Sequence, residues 1–450
     1  MSGGRDVLSL TGRPAGSGAV LGACVVGLAL AATLRQGAFY PFTAELVAVV
    51  ALGLAVSAVV ALRSSGRALA VVGASALLAL WWLVRAATIH DLTSFVPLGA
   101  GMVGFGCASM IAAGLSGTER IVAAQALVAT GALSGAVGLI GVLFRWFPEA
   151  IPSQHLWRLA TTLTYSNAAG ALLALSFVVA FALNPDRLPI RLAMYLCTAS
   201  LLATQSRGAV LGATIALFFV PASQLRRFAV PLGMGVVGGL VAVAASPGAA
   251  SRPLALVGLV GPGALAAVPW RVPRRAAISP RGQVMAVAGL LTVVALSAVA
   301  AATVLSAPIT RRLQLASTED RNVEWSAAYH QWLSSPWIGT GPDRLLHFTA
   351  VDGNIAHFAH NEYLQILAGG GVVGALLLAV LIACVARAVR RHDVLASCAV
   401  GALVAFACSA GLDFDWHLPA LCLWAGLVGG LAMPLPVPDA GLQPASVSTA

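Results

Sequence analysis

The stretch HFAHNEYLQILAGGGVVGALLLAVLIACVARAVRR, His357 to Arg391, opens on two histidines, an asparagine and a glutamate, turns almost entirely apolar, and closes on arginines. The apolar part, 370 to 388, reads as a helix that crosses a bilayer, because a spanning helix needs roughly 20 apolar residues and arginines mark the cytoplasmic end. The ionisable residues therefore stand at the mouth of a membrane helix, where burying charge is costly and needs a reason.

The rest of the chain fits the same class. Of its 450 residues 59% are hydrophobic and 9% charged, and mean hydropathy is +0.90, which is more apolar surface than a soluble core can bury. The expected fold is an all-α polytopic membrane helix bundle of about 12–14 transmembrane helices. Apolar runs fall at 17–34, 44–62, 68–85, 96–115, 121–144, 166–183, 191–205, 208–222, 228–245, 254–270, 284–305, 370–388, 394–411 and 417–433. The runs at 191–205 and 208–222 are short enough to be one helix, and the run at 254–270 contains prolines. Arginine asymmetry favours two helices over 191–222, meeting at the outer face near Ala203–Ala209; a single crossing would turn the arginines at 226/227, 271–281 and 387–391 outward. The resulting division is spans one to eleven over 1–305, a long extracytoplasmic loop over 306–369, C-terminal spans over 370–433, and a polar, proline-containing cytoplasmic tail over 434–450.

All 26 basic residues are arginine and the net charge is +10, but the arginines lie in pairs and triplets between apolar runs. That pattern speaks for membrane topology and against nucleic acid. The seven cysteines all lie within apolar runs without a CxxC spacing, which indicates neither a disulfide framework nor a zinc site. Two GxGxxG matches, at Gly233–Gly238 and Gly369–Gly374, fall inside apolar helical runs rather than after a strand, so they predict close helix packing and not dinucleotide binding.

The loop holds six of the sixteen acids and four of the eight histidines, so any chemistry is expected there. Within RNVEWSAAYHQWL, Trp325, Tyr329 and Trp332 recur at helical spacing and predict one apolar face on a helix that lies along the membrane or caps the bundle. Arg207 is flanked by apolar sequence and is either an arginine reaching for headgroups or an anion-binding guanidinium facing a cavity. Arg321 either pairs with Glu324 or Asp320 on the surface or converges with Arg207 to clamp a pyrophosphate. His360 precedes residues that look helical; at a helix N-terminus a neutral imidazole is favoured, which suits a general base as well as an ordinary cap. His357 could join it in a metal pair, but no third ligand stands at the right spacing. Tyr165 and Asn167 mark the outer mouth of span six, and Asp413 and Asp415 the outer end of span thirteen.

Taken in order, TYSNAAGALLAL, SRGA, RNVEWSAAYHQWLSSPWIGTGPDRL, AHNEYLQILAGGGVVGALL and GLDFDWHLPALCLWAGLVGG resemble the O-antigen ligase and O-antigen polymerase family of bacterial membrane glycosyltransferases over Thr161 to Gly430. The resemblance implies a fold related to the class C glycosyltransferases. It implies transfer of a glycan from an undecaprenyl-pyrophosphate donor to an acceptor hydroxyl on the extracytoplasmic side, with neither cofactor nor divalent metal. It gives Arg207 and Arg321 the pyrophosphate and His360 the acceptor hydroxyl. Tyr165, Asn167, Trp325, Asn361, Glu362, Tyr363, Asp413 and Asp415 become candidates for holding substrates. The implied partners are the lipid-linked glycan, a glycolipid, polysaccharide or protein acceptor, and the lipid bilayer. Ligase, polymerase and protein O-oligosaccharyltransferase remain alternatives, with a secondary transporter or flippase from a different class. The run ILAGGGVVG departs from the family pattern and predicts a loosened helix start.

Overall fold

A computed structural model describes residues 16–62, 65–153, 155–247, 252–269, 319–342, 348–349, 355–356 and 358–435. The apolar run at 284–305, the arginine cluster at 271–281, His357 and residues 436–450 of the tail lie outside these. Among the described residues the chain is a polytopic helical bundle with almost no strand. Its helices are α1 Ser17–Leu34, α2 Pro41–Ala61, α3 Gly66–Thr88, α4 Val96–Ala113, α5 Gly117–Phe144, α6 Ser166–Ala180, α7 Leu188–Ala203, α8 Arg207–Ala216, α9 Ala222–Arg227, α10 Ala229–Ala244, α11 Arg252–Ala267, α12 Glu319–Ser334, α13 Glu362–Ala388, α14 Val394–Ala410 and α15 Pro419–Leu431. An antiparallel hairpin, β1 Ala150–Ser153 and β2 Leu156–Leu159, precedes α6, and two-residue strands β3 Phe348–Thr349 and β4 Ile355–Ala356 pair before α13.

Among the described residues six helices are long and apolar enough to cross a membrane, and seven more are apolar but shorter. Every residue of α6 is buried, and so is every residue of α15. Helices that are apolar all round and buried all round form the centre of a bundle. The seam between α4 and α15 runs on small residues: a Cβ on Gly426 would lie 2.3 Å from the Phe105 carbonyl oxygen, and one on Gly430 2.4 Å from that of Ser109. Such backbone approach is how helices adhere where lipid removes the hydrophobic drive between them.

Helix starts carry local signals. Ser116 and Glu119 form a reciprocal capping box on α5, Asp393 caps α14 through the Ala396 N–H, and Asn361 caps α13 through the Leu364 N–H at 3.1 Å. Helices α7 and α8 are separate elements joined by Thr204–Ser206. The proline-containing run at 252–267 is a helix that keeps Pro262 inside it.

Helix α13 begins at Glu362, so the residues after His360 are helical, as read from the sequence, and the helix starts ahead of the apolar run at 370. The packed face of α12 is not its aromatic stripe: Tyr329 is 48% exposed while Glu324 and Ala328 are buried, with Ala328 packing among Ala359, Ala368 and Leu364. The triple glycine does not loosen α13. Gly371 breaks the helix with φ 66°, and the turn Pro336–Gly341 fills the gap. Thr340 N–H donates to the Ala368 carbonyl and Gly341 N–H to that of Gly369; Val372 and Val373 N–H donate back to Pro336 and Trp337. Trp81 Nε1 meets the Gly370 carbonyl at 3.1 Å and Arg85 that of Gly339 at 2.8 Å, so the backbone groups released by the break find partners. The other GxGxxG run behaves as expected, with Gly235 and Gly238 of α10 packed on Thr198 and Tyr195 of α7.

Candidate active site

Three helices begin at one end of the bundle, each after a residue with left-handed backbone. Thr164 (φ 56°) leads through Tyr165 into α6, Gln205 (φ 54°) through Ser206 into α8, and His360 (φ 44°) through Asn361 into α13. Non-glycine residues adopt this conformation at a cost of about 1–2 kcal/mol, and strain of this kind clusters at functional sites. Here it turns the chain sharply enough for the residues before each helix to face the other two.

His360 Nδ1 lies 3.2 Å from Asp413 Oδ1 and 3.3 Å from the Tyr165 hydroxyl. Tyr165 donates to both Asp413 oxygens at 2.9 and 3.0 Å, and the Phe414 backbone N–H donates to Oδ1 at 2.9 Å. With Asp413 only accepting, Nδ1 carries the imidazole proton and Nε2 presents a lone pair. On that side Glu324 Oε1 stands 4.0 Å from Nε2, and the His360 side chain is 28% exposed. Burial disfavours the imidazolium, but the Asp413 hydrogen bond and charge, with Glu324, outweigh burial and the opposing Arg321, so His360 is held above the ordinary histidine pKa. Burial raises Asp413, yet hydrogen bonding and charge from His360, then Arg321 and the Phe414 N–H, hold it below the usual carboxylate range. Tyr165 is pushed well above 10.0 by burial and then by Asp413, and stays a neutral phenol. Asp415, fully buried, is raised well above the usual range by burial and then by Asp413, which favours the neutral acid.

The two arginines approach the same cluster. Arg207 and Arg321 are close enough to feel one another's charge, and Arg321 acts on both His360 and Asp413. Like charges gathered beside three helix N-termini make a place for an anion.

The remaining candidates divide. Asn167 Nδ2 donates to the Tyr165 oxygen at 3.0 Å while its Oδ1 accepts from Arg158 at 2.8 Å, so its amide is engaged inside the protein. Asn361 is the α13 cap. Glu362 is fully buried and turned toward Trp416 and His417. Tyr363 donates to the Ala407 carbonyl at 2.8 Å, and Trp325 is half-buried on α12 one turn after Arg321.

Sequence reasoning passed over Arg158, Phe414 and His417. Arg158 on β2 is 6% exposed and donates through Nε to the Thr204 carbonyl at 3.0 Å, which ties Asn167 to the turn before Arg207. Phe414 is stacked between Phe358 and Tyr165, with centroids 4.2 and 5.1 Å away. The signal available for both Arg158 and His417 was an ionisable residue embedded in an apolar stretch.

No curated protein matches the chain. Residues 248–379, which include α12 with Arg321 and the HNEYLQ start of α13, match the family model described as O-antigen ligase. That match falls on the part of the chain that carries RNVEWSAAYHQWL and HNEYLQ, and it agrees with the resemblance read from those motifs.

Proposed function

We propose that the protein is a glycosyltransferase that moves an oligo- or polysaccharide en bloc from undecaprenyl pyrophosphate to an acceptor hydroxyl, at the outer face of the cytoplasmic membrane. The observation that carries this reading is the His360 arrangement. Nδ1 is engaged by Asp413, Nε2 is left for a proton, and two arginines stand alongside. On this reading Nε2 takes the acceptor hydroxyl proton as the oxygen bonds to the anomeric carbon. The bond from that carbon to the pyrophosphate oxygen breaks, and the leaving group departs with the electron pair. Arg207 and Arg321 meet the charge that develops on the leaving oxygen, aided by the N-termini of α6, α8 and α13. The imidazolium is stabilised by Asp413 and by Glu324 until it returns the proton to water, as in the histidine–aspartate pairing of hydrolytic triads. A single in-line displacement inverts the anomeric centre. The arginines supply the charge a divalent metal would otherwise bring, so the reaction is expected to run without one.

The test is transfer by purified protein in nanodiscs, with an undecaprenyl-pyrophosphate-linked glycan and a panel of lipid-linked, polysaccharide and protein acceptors, for wild type and His360→Ala, with and without chelator. A single en bloc product lost in the variant and indifferent to chelator supports the ligase reading, and a ladder of repeats would replace it by a polymerase. Absence of transfer to every acceptor, with flux of lipid-linked glycan across sealed vesicles unaffected by His360→Ala, would replace it by transport.

A further inference from the structure

Glu362, the acid next to the Asn361 cap, and His417, a histidine of the turn Asp415–His417, meet where neither solvent nor substrate reaches. Glu362 is 0% exposed and His417 2%. His417 Nδ1 stands 3.2 Å from Glu362 Oε1 and 3.3 Å from Oε2, and the Trp416 backbone N–H donates to Oε2 at 3.1 Å. A carboxylate this deep costs several kcal/mol unless donors meet it, and both donors come from one short turn. Asp415 and Cys422 are the other titratable groups near it, and Tyr363 follows it on α13.

This contact joins the same two segments as the Asp413–His360 pair. One segment is the start of α13 with the residues before it, and the other is the loop from Asp413 to His417. The outer link, His360 to Asp413, has a partly exposed imidazole; the inner link, Glu362 to His417, has none. Between them Phe414 stacks on Phe358 at 4.2 Å, and the His417 ring meets Phe358 edge-on at 5.1 Å. Trp416 is wedged against Phe105 and Phe406, each 5.3 Å away. Asp413 stands in no helix and has three residues between it and His417, so its reach to His360 depends on where the loop is pinned.

We infer that Glu362 and His417 form a buried lock that sets the distance and orientation of Asp413 toward His360. They are positioning residues that never meet the substrate. The inference rests on the reading of His360 given under Proposed function. It removes Glu362 from the substrate-contacting set and explains why an acid stands next to the cap of a membrane helix.

The experiment compares wild type with Glu362→Ala, Glu362→Gln, His417→Ala and His417→Asn in nanodiscs. It reads transfer kinetics against pH, binding of undecaprenyl pyrophosphate, and His360 ionisation by nuclear magnetic resonance of labelled histidine. Misplacing a catalytic group by ~1 Å costs about 100-fold, so the alanine variants should lose about 10- to 100-fold in kcat. Donor KM and undecaprenyl pyrophosphate binding should hold, and His360 ionisation should move toward lower pH as Asp413 loosens. Glu362→Gln keeps the acceptor for the Trp416 N–H and should recover most of the rate, which keeps the test open where an alanine variant fails to fold. Lower thermal stability with unchanged kcat and unchanged His360 titration per folded molecule would make the pair purely structural. A selective rise in donor KM for the Glu362 variants would return that residue to the substrate. Should wild type transfer nothing, a His360 titration that shifts in Glu362→Ala or His417→Ala and returns toward wild type in Glu362→Gln upholds the lock while the transferase reading falls. A titration unshifted in folded alanine variants ends both.

Discussion

Replacing Asp413 by asparagine removes one charge and little else, which makes it the sharpest probe of the site. The carboxylate stands 3.2 Å from His360 Nδ1, so its gross attraction for an imidazolium is about 5 kcal/mol at an effective dielectric of ~20. Asparagine keeps an acceptor oxygen for the Nδ1 proton, Glu324 still faces Nε2 at 4.0 Å, and water reaches a side chain that is 28% exposed. Halving the gross figure for these leaves about 2.5 kcal/mol, or roughly 70-fold in kcat. Undecaprenyl pyrophosphate binding, assigned to the arginines, should not change. The pH dependence gives a second handle. His360 must be unprotonated to act as a base, and its pKa lies above the ordinary value chiefly because Asp413 overcomes burial. Wild-type kcat should therefore fall as pH drops through that raised pKa, and in Asp413→Asn the acid limb should move to lower pH, so the deficit narrows in acid. Initial rates of glycan transfer from about pH 5 to pH 9, the range over which histidine titrates, decide the matter. An acid limb at the same pH in both proteins, or a loss confined to donor KM, would refute the base assignment.

Arg207→Lys and Arg321→Lys retain charge but lose the planar fork that suits a phosphate, and each should weaken undecaprenyl pyrophosphate binding about 10-fold; equal binding would detach the arginines from the leaving group. Gly371→Ala must hold φ 66° and place a Cβ 2.4 Å from Trp337 backbone, so about 3 kcal/mol of stability should be lost, seen as a lower melting temperature in detergent. Gly374→Ala, whose Cβ would meet nothing nearer than 3.3 Å, should melt close to wild type. Tyr165→Phe deletes the hydroxyl shared by Asn167 and Asp413 and should cost about 1–2 kcal/mol of stability with a several-fold loss of kcat, both measurable on one preparation.

The spans were legible because a crossing helix must be continuously apolar, and arginine placement even separated α7 from α8. The start of α13 was legible only from the helical look of the residues after His360, not from hydropathy. Its first turns, EYLQILAGGG, are polar and then glycine-rich, and a hydropathy run begins only at 370, although the helix starts at Glu362 and is held across its break by the Pro336–Gly341 turn. The aromatic stripe of α12 was legible, but the direction it faces was not. Periodicity marks where aromatic residues recur, but beside a bilayer the apolar face can point outward, and here Ala328 packs while Tyr329 does not. His360, Arg207, Arg321 and Asp413 could be nominated as isolated ionisable residues near apolar runs, and the structure draws them into one cluster. Arg158 and His417 show in the sequence only as ionisable residues in apolar stretches, since it does not reveal that Arg158 meets Asn167 nine residues on or that His417 meets Glu362, 55 residues away inside a motif that suggested substrate contact.

The depth of the site follows from the same helix that opened the question. Helix α13 is broken at Gly371, and its unbroken part from 372 to 388 spans about 25 Å at 1.5 Å per residue, against a hydrocarbon core ~30 Å thick. The first turns, from Glu362 to the break, therefore fall at the edge of that core. The far end of the helix carries Arg387, with Arg390 and Arg391 just beyond, and these gain by staying in water; its near end carries Asn361 and, before it, His360. On the proposed reading an imidazole at that end stands at headgroup level, the level at which the pyrophosphate of a membrane-bound donor would lie. A base on a soluble lid would have to descend to that level and one inside a span would have to be desolvated, whereas a left-handed residue just before a helix cap places it there within the fixed frame of the bundle.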